Sequence, residues 1–290
     1  MLYSIVTLNA YQYELAVCTM FQNEGPYLKE WIEFNILTGV EHFYLYNNKS
    51  TDNYAEVLKP YIDAGIIDCI DWPYSHAGGA HHQILAEEHC GNSIQGRVNG
   101  RAQVLAYNHC LDNVRGKVKW LMCIDTDEFL FPTKCDDLRK FLQKYEEFSV
   151  VYVNWALFGT SNIKKLSKNK LLIESLTRRA SAEHPRHKKV KSIVRPEKIE
   201  WMAIHRPVKF FPGCDQIAQD KNSFENREVR INHYWTRDEE YLYRTKIDRK
   251  YFFNTTHGQD WVLTEANKLN KEKDLVIQKY VERLRKKIFN

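Results

Sequence analysis

The chain has 290 residues, of which 43% are hydrophobic and 27% charged, and a formal net charge of +5. This composition is typical of a soluble globular protein with one large domain, and no stretch approaches the roughly 18 apolar residues of a membrane-spanning helix. The N-terminus MLYSIVTLNAYQYELAV lacks the pattern of a signal peptide, and seven cysteines are scattered without CxxC or CxxH spacing. These features predict a cytoplasmic protein with reduced thiols and no structural zinc.

Strand-like and helix-like segments alternate through the first half of the chain. A turn at Asn23-Glu24-Gly25-Pro26, with proline near the first helical position, separates the first strand from the first helix. In chain order, the predicted elements are the strand Glu14–Phe21, a helix from Tyr27 to Gly39, the strand Val40–Tyr46, the helix Tyr54–Ala64, the strand Ile66–Trp72, the helix Arg101–Leu111, the strand Lys119–Ile124, the helix Asp136–Glu147 and the strand Ser149–Trp155.

This alternation predicts an α/β fold with a mostly parallel, doubly wound sheet flanked by helices. Ligands of such sheets bind beyond the carboxyl ends of the strands. The rule brings together three polar segments that are far apart in sequence. They are Asn23-Glu24, Ser50-Thr51-Asp52 and Asp125–Asp127.

The segment from Pro73 to Gly100 is rich in glycine and histidine and has no regular pattern. Its histidines suggest either a transition-metal site or a Gly-rich loop that covers a bound nucleotide. No HExxH motif or matching cysteine spacing accompanies them, so the loop is favoured. The histidines concerned are His76, His81, His82 and His89.

The most informative stretch is Cys123–Phe131, CIDTDEFLF, in which an apolar strand ends in three carboxylates. Such a cluster of oxygen ligands suits Mn²⁺ or Mg²⁺. A cation there would hold a diphosphate and neutralise it as it leaves, which is the chemistry of transfer from a nucleotide sugar. The alternative is a solvated acidic turn.

The second half of the chain is basic and less regular. Between Thr160 and Phe210 there are fourteen lysines and arginines, including Lys191, against four glutamates and no aspartate. This segment suggests contact with phosphate, an anionic glycan or a membrane surface, or else a solvated loop face, and no nucleic-acid motif accompanies it. Asp238–Lys250 is a predicted helix, and the amphipathic helix Leu275–Ile288 is expected to pack back on its own domain rather than on a membrane or partner.

Several motifs resemble the GT-A glycosyltransferases, and within them glycosyltransferase family 92. They are CTMFQNEGPYLKEWIEFNILTGVEHFYLYNNKSTDN (Cys18–Asn53), KWLMCIDTDEFLFP (Lys119–Pro132), NWALFGTSN (Asn154–Asn162) and INHYWTRDEEYLYRTK (Ile231–Lys246). The resemblance implies a GT-A fold and metal-dependent transfer of a hexose, with a UDP-sugar favoured, to a glycan or glycolipid hydroxyl. Animal members usually carry an N-terminal membrane anchor, so its absence here favours either a bacterial or viral-type soluble enzyme or an excised domain.

The resemblance also implies roles for individual residues. Asn23, Glu24 and Asp52 would contact the nucleotide. Apart from the resemblance, Gln103 and Asn108 on the helix before the acidic strand are candidates to face the donor, the alternative being the ordinary polar surface of a helix. Arg237 and Lys246 would bind the diphosphate. The metal ligands would be Asp125, Asp127 and His233, with Asp127 the more direct ligand.

An inverting transfer needs a general base on the acceptor side, because a sugar hydroxyl is a poor nucleophile at neutral pH. Asp215 is the first candidate for this base, followed by His205, with Glu128 and Glu239 as further possibilities. Glu128 is better suited to orienting the metal site. Trp155 and Phe158, after the fifth strand, are candidates for stacking on an acceptor sugar.

The sequence thus predicts one GT-A domain over residues 1–290 with a nucleotide-sugar half (14–135), an acceptor-side half (136–250) and a C-terminal helical appendage (251–290). The predicted activity is that of an inverting, Mn²⁺- or Mg²⁺-dependent glycosyltransferase. The alternatives are a nucleotidyltransferase acting on sugar phosphates and a non-catalytic carbohydrate- or phosphate-binding module. The first would carry a basic Gly-rich first loop, whereas Phe21–Pro26 contains no lysine or arginine.

Overall fold

The computed structural model describes residues 11–74, 102–247 and 259–289, so the four histidines of the Gly- and His-rich segment lie outside the described residues. The strands are β1 (Tyr13–Phe21), β2 (His42–Asn47), β3 (Ile67–Asp71), β4 (Val118–Cys123), β5 (Glu128–Pro132), β6 (Val150–Leu157), β7 (Arg178–Arg179), β8 (Val190–Val194), β9 (Ile199–Met202), β10 (Pro207–Phe210), β11 (Ile217–Gln219), β12 (Val229–His233) and β13 (Glu272–Lys273).

The helices match the predicted order but not every predicted length. The helix expected over Asp136–Glu147 is only five residues long, because a 3₁₀ turn follows it at Gln143–Tyr145. The helices are α1 (Gly25–Leu37), α2 (Tyr54–Asp63), α3 (Ala102–Val114), α4 (Leu138–Leu142), α5 (Leu172–Ser175), α6 (Glu239–Tyr241, continued by a π-helix over Leu242–Ile247), α7 (Gln259–Lys268) and α8 (Val281–Ile288).

The main sheet has nine strands, with β3, β2, β1, β4, β8, β6, β12 and β5 in spatial order and β11 beside β6. The first four strands are parallel, as predicted. β8 is antiparallel to both β4 and β6, and β5 is antiparallel to β12. A mainly parallel α/β sheet is therefore confirmed, with antiparallel strands from the second half of the chain inserted into it.

Helices cover both faces of this sheet because its strands are apolar on both sides, as parallel sheets require. On one face α1 and α2 pack Trp31, Phe34 and Leu58 against the strands. On the other face α3 contributes Tyr107 and Leu111. The indole Nε1 of Trp31 also donates to the Glu128 carbonyl at 2.9 Å, so this core supports the acidic segment directly.

The C-terminal helix α8 packs back on the rest of the protein, as predicted. Leu284 is buried, and Lys29 of α1 donates to the Ile288 carbonyl at 3.1 Å. Among the described residues there is no helix with both the length and the apolar character needed to cross a bilayer.

Glu30 on α1 anchors the second half of the chain and should make stability depend on pH. Its carboxylate accepts from the backbone nitrogens of Leu172 and Ile173 at 2.7 and 3.0 Å, and burial raises its pKa to about 7. The folded state therefore holds this proton more tightly than the unfolded state. Stability from this group is full below about pH 4.5 and is lost as pH rises through 7.

We expect the Glu30→Gln variant to lose this dependence. In wild type, the free energy of unfolding measured by chemical denaturation should be about 2 kcal/mol lower at pH 8 than at pH 5, after a discount for residual solvent contact. In Glu30→Gln this difference between the two pH values should disappear. Glu56→Gln, on the exposed surface of α2, is the matched control and should leave the difference intact. An unchanged pH dependence in Glu30→Gln would show that the carboxyl ionises normally in the folded state.

Candidate active site

The acidic segment forms a tight turn between β4 and β5. The Glu128 nitrogen donates to the Asp125 carbonyl at 3.1 Å, and the Asp125 nitrogen donates to Glu128 Oε2 at 2.9 Å. Burial, opposed by Lys191, raises the pKa of Glu128 well above its usual range. The turn therefore places three carboxyl groups within four residues, and one of them supports the backbone of another.

Asp125 is held on both of its oxygens by side chains of the protein. Gln103 Nε2 donates to Oδ1 at 2.5 Å, and Lys191 Nζ lies 2.9 Å from Oδ2. Burial alone would lower the pKa of Lys191, but Asp125 and Glu128 outweigh it and the pKa is raised. Gln103 thus contacts Asp125 at the predicted edge, and Lys191 is part of the site.

Asp127 lies on the other side of the turn, next to His233. The antiparallel pairing of β12 with β5 sets His233 opposite Glu128, and its Nε2 is 3.4 Å from Asp127 Oδ1. β12 is also parallel to β6, and the Trp155 ring centroid lies 4.5 Å from that of His233. The late histidine and the acidic turn therefore meet as a consequence of strand register.

The described residues contain no group of three or more metal-ligand side chains already clustered. Asp127 and His233 nevertheless offer an oxygen and a nitrogen close enough to bind one ion. His233 Nδ1 and Glu128 Oε1 are buried, have no hydrogen-bond partner in the described structure and lie 4.0 Å apart. Metal-bound histidines commonly donate their second nitrogen to a carboxylate, so these atoms fit a metal at Nε2.

The loops that follow β1 and β2 hydrogen-bond to each other at the same edge of the sheet, as predicted. Asn23 accepts from the Thr51 nitrogen at 2.7 Å, and Asp52 accepts from the Gly25 nitrogen at 2.7 Å. A Cβ at Gly25 would come within 2.9 Å of Asp52 Oδ2, so glycine permits this close approach. Asp52 is therefore positioned by the loop that carries Asn23.

Glu24 is paired with Arg237, which is fully buried. The guanidinium carbon lies 3.7 Å from the ring centroid of Tyr27 and 4.4 Å from that of Tyr241. Burial alone would lower the pKa of Arg237, but Glu24 and the two tyrosines outweigh it and the pKa is raised. Arg237 is thus a buried cation between two aromatic rings and does not present its whole guanidinium to a ligand.

A cavity of about 260 Å³ opens beside this pair. Its walls come from the loop after β1 and from the π-helical turn of α6, a geometry often found at functional sites. It is smaller than the roughly 300–1,000 Å³ of most ligand sites, so it would enclose only part of a larger ligand. The lining residues are Gln22, Asn23, Glu24, Pro26, Tyr27, Tyr241, Arg244 and Thr245.

Of the two predicted diphosphate-binding cations, the structure describes the side chain of Arg237 only. The side chain of Lys246 lies outside the described residues, and Arg237 is buried. Arg244, which the sequence reading did not single out, is exposed and lines the cavity. The signal in the sequence was its positive charge within the motif Ile231–Lys246.

His205 lies near Asp125 and Lys191 and next to Trp155, whose ring centroid is 5.4 Å from its own. Its Nδ1 is 3.1 Å from the Val190 carbonyl, so this nitrogen carries the proton and donates. Burial lowers the pKa of His205 to about 4. The imidazole is therefore neutral at pH 7, with its Nε2 lone pair directed away from that carbonyl.

Two predicted residues are not brought to this site. Asp215 precedes β11, which pairs with the amino end of β6 at Val150, whereas the acidic turn lies near the carboxyl end of β6. Phe158 is fully buried against Tyr234, with ring centroids 4.8 Å apart, so neither face is available to a sugar. The loop connections after β10 and after β6, which no local pattern specifies, decide both positions.

The basic segment is divided between surface and core. Lys164, Lys165, Lys188 and Lys189 are exposed, as a solvated face requires, whereas Lys191 is fully buried. The solvated interpretation is therefore wrong for Lys191. A lysine flanked by apolar strand residues in VKSIV was the sequence signal that it points inward.

The family model described as glycosyltransferase family 92 matches residues 11–288. A glycosyltransferase family 92 protein of Ricinus communis is 28% identical over 80% of this chain and 38% of its own length. One of Oryza sativa subsp. japonica is 30% identical over 64% of this chain and 27% of its own length. The chain therefore spans well under half of these curated relatives.

Among solved structures, residues 1–349 of TarS from S. aureus, in complex with UDP-GlcNAc, align with a TM-score of 0.45 and 11% sequence identity. The alignment covers 76% of this chain and 58% of that chain.

Proposed function

This chain belongs to glycosyltransferase family 92, and we propose that it transfers a hexose from a nucleoside diphosphate sugar, with UDP favoured, to a hydroxyl of a glycan or glycolipid. The observation that carries the proposal is the meeting of Asp127 and His233, 3.4 Å apart, at the sheet edge that also holds Asn23 and Asp52. This edge is where α/β sheets bind ligands.

The donor's nucleotide occupies the cavity beside Asn23 and Glu24, and its diphosphate extends towards the acidic turn. Arg244, on the cavity wall, binds a phosphate oxygen. Arg237 holds Glu24 in place from below rather than closing over the ligand. The proposal therefore assigns Arg244 the role that the sequence suggested for Arg237, and Lys246 remains a further candidate.

Asp127 and His233 would hold a divalent cation, Mn²⁺ being favoured by the mixed oxygen and imidazole donors. Such an ion would neutralise the charge that develops on the leaving diphosphate. Glu128, whose Oε1 is 4.0 Å from His233 Nδ1, would orient that ring when the ion is bound, and Gln103 and Lys191 hold Asp125 in place.

His205 is the general base of an inverting transfer. Its Nδ1 is held by the Val190 carbonyl, which leaves Nε2 to take the proton of an acceptor hydroxyl. Trp155, whose buried ring contacts those of His205 and His233, forms part of the surface that faces the acceptor. The base remains neutral across the physiological range because burial lowers its pKa to about 4.

A pH profile tests His205. Because the base is lost only when it is protonated, kcat/KM for donor turnover should fall near pH 4 rather than near pH 6.5. His205→Gln should lower transfer to acceptor by about 10²-fold or more while leaving donor binding within a factor of two. Transfer at the wild-type rate in His205→Gln would remove this residue as the base.

The proposed function is tested by a thermal-shift screen of UDP-, GDP- and TDP-hexoses with and without Mn²⁺, followed by NMR of the product anomer. Selective stabilisation by one sugar nucleotide in the presence of Mn²⁺, and inversion at the transferred carbon, are the expected results. Stabilisation by none of them, together with no hydrolysis of any donor, would overturn the proposal.

A further inference from the structure

Lys191 is the most unusual side chain of the site, and the following inference about it deepens the proposed function on which it rests. It lies on β8 between β4 and β6 and is 0% exposed. Its ammonium is 2.9 Å from Asp125 Oδ2, 3.7 Å from Glu128 Oε2 and 3.4 Å from the Ile204 carbonyl. The ammonium thus lies among three acceptor oxygens, and the ring centroid of Tyr107 is a further 5.8 Å contact.

A buried ammonium is costly unless charged or polar groups compensate it. A methionine or leucine at this position would fill the same space between the strands without that cost. The acidic turn has the opposite problem, because neighbouring carboxylates in a poorly solvated site repel each other. Lys191 and the turn therefore compensate each other, and the compensation is present without any metal.

The partners of the two aspartates divide the turn into two parts. Asp125 has Gln103 on one oxygen and Lys191 on the other. Asp127 instead faces His233. One carboxylate is thus engaged by a cation of the protein itself, and the other lies beside an imidazole that suits a metal ion.

We propose that Lys191 is a positioning residue that replaces a metal ion at Asp125. It neutralises and orients Asp125 before any divalent cation binds, so that the donor-facing edge is already assembled. Among the described residues, those that would hold the divalent cation are then Asp127 and His233. The two aspartates of the motif therefore have different partners: Asp125 pairs with Lys191, and Asp127 would bind the metal ion.

The test compares Lys191→Met with Lys119→Met. Lys119 is a matched control because it lies on β4 in the same sheet and its side chain is only 17% exposed. Its ammonium is 2.8 Å from a carboxylate oxygen of Glu14 and 2.7 Å from one of Glu146. Thermal unfolding is measured in EDTA and in MnCl₂. Lys191→Met should melt several degrees lower than wild type in EDTA, and Mn²⁺ should restore much of that loss by binding the uncompensated Asp125; Lys119→Met should show no such restoration.

A measurable Mn²⁺-induced shift that is equal in wild type and Lys191→Met would overturn the proposal, since a merely structural lysine predicts parallel responses. Manganese titration calorimetry adds a second readout, with Lys191→Met expected to bind Mn²⁺ at least threefold more tightly. Hydrolysis of UDP-glucose is a third readout, and in Lys191→Met the fold decrease in kcat should exceed the fold change in KM.

A double-mutant cycle in EDTA keeps the proposal testable if Lys191→Met folds poorly or if no form responds to Mn²⁺. Adding Asp125→Asn should recover stability, with the two changes coupled by at least tenfold in the unfolding equilibrium constant. Absence of coupling would overturn the role of Lys191. Absence of any Mn²⁺ response with strong coupling would instead overturn the metal in the proposed function and support Lys191 as the cation of Asp125.

Discussion

Replacing Asp127 with asparagine is expected to lower Mn²⁺-dependent hydrolysis of the sugar nucleotide by about 10²- to 10³-fold. Asparagine keeps the shape of the side chain but removes the charge that would hold a cation beside His233, 3.4 Å away. The fold should survive, because the backbone of Asp127 makes its own hydrogen bond from Tyr234 at 2.8 Å. Steady-state kinetics and circular dichroism measure the two effects separately.

Asp63→Asn is the control for this change, since Asp63 forms an exposed ion pair with Lys59 on α2. It should leave turnover unchanged. Metal titration calorimetry of Asp127→Asn should show affinity reduced at least tenfold. Full turnover and unchanged Mn²⁺ affinity in this variant would remove Asp127 from the mechanism.

Replacing Arg237 with methionine is expected to destabilise the protein by about 3–5 kcal/mol, because it removes the fully buried cation that faces Glu24, whose side chain is only 13% exposed. The change also removes the stacking of the guanidinium between Tyr27 and Tyr241. Since Glu24 lines the cavity, donor affinity should fall together with stability. Urea unfolding measures the first effect and thermal shift with UDP-glucose the second.

The double variant Glu24→Leu/Arg237→Met distinguishes the stability lost with the ion pair from the stability lost with the packing of the guanidinium. It should be more stable than Arg237→Met alone, because no unpaired carboxylate remains. The control, Lys59→Met on the surface of α2, should change stability by less than about 0.5 kcal/mol. A loss this small in Arg237→Met would show that the Glu24–Arg237 pair contributes little.

Local pattern was sufficient for the first half of the chain. The apolar strands, the proline at the start of α1 and the polar segments after β1, β2 and β4 each depend on neighbouring residues, and parallel strands bring their carboxyl ends to one edge. The sequence therefore predicts that Asn23, Asp52 and Asp125 lie at that edge. The shortened helix α4 shows the limit, since periodicity does not specify where a helix ends.

The local sequence pattern does not predict the antiparallel strands that the second half of the chain inserts into the sheet. No nearby residue indicates that β8 enters between β4 and β6, or that β12 pairs with β5. These pairings bring Lys191 to Asp125 and His233 to Asp127, and they leave Asp215 at the other end of the sheet.

The sequence by itself determined the α/β fold class, the acidic turn and the edge of the sheet where a ligand would bind. The tertiary structure alone decided which cations enter the core, because the charge of Lys191 or Arg237 is the same whether the side chain is solvated or buried. Burial depends on long-range strand pairing, and it turns two residues of a basic chain into internal partners of Asp125 and Glu24.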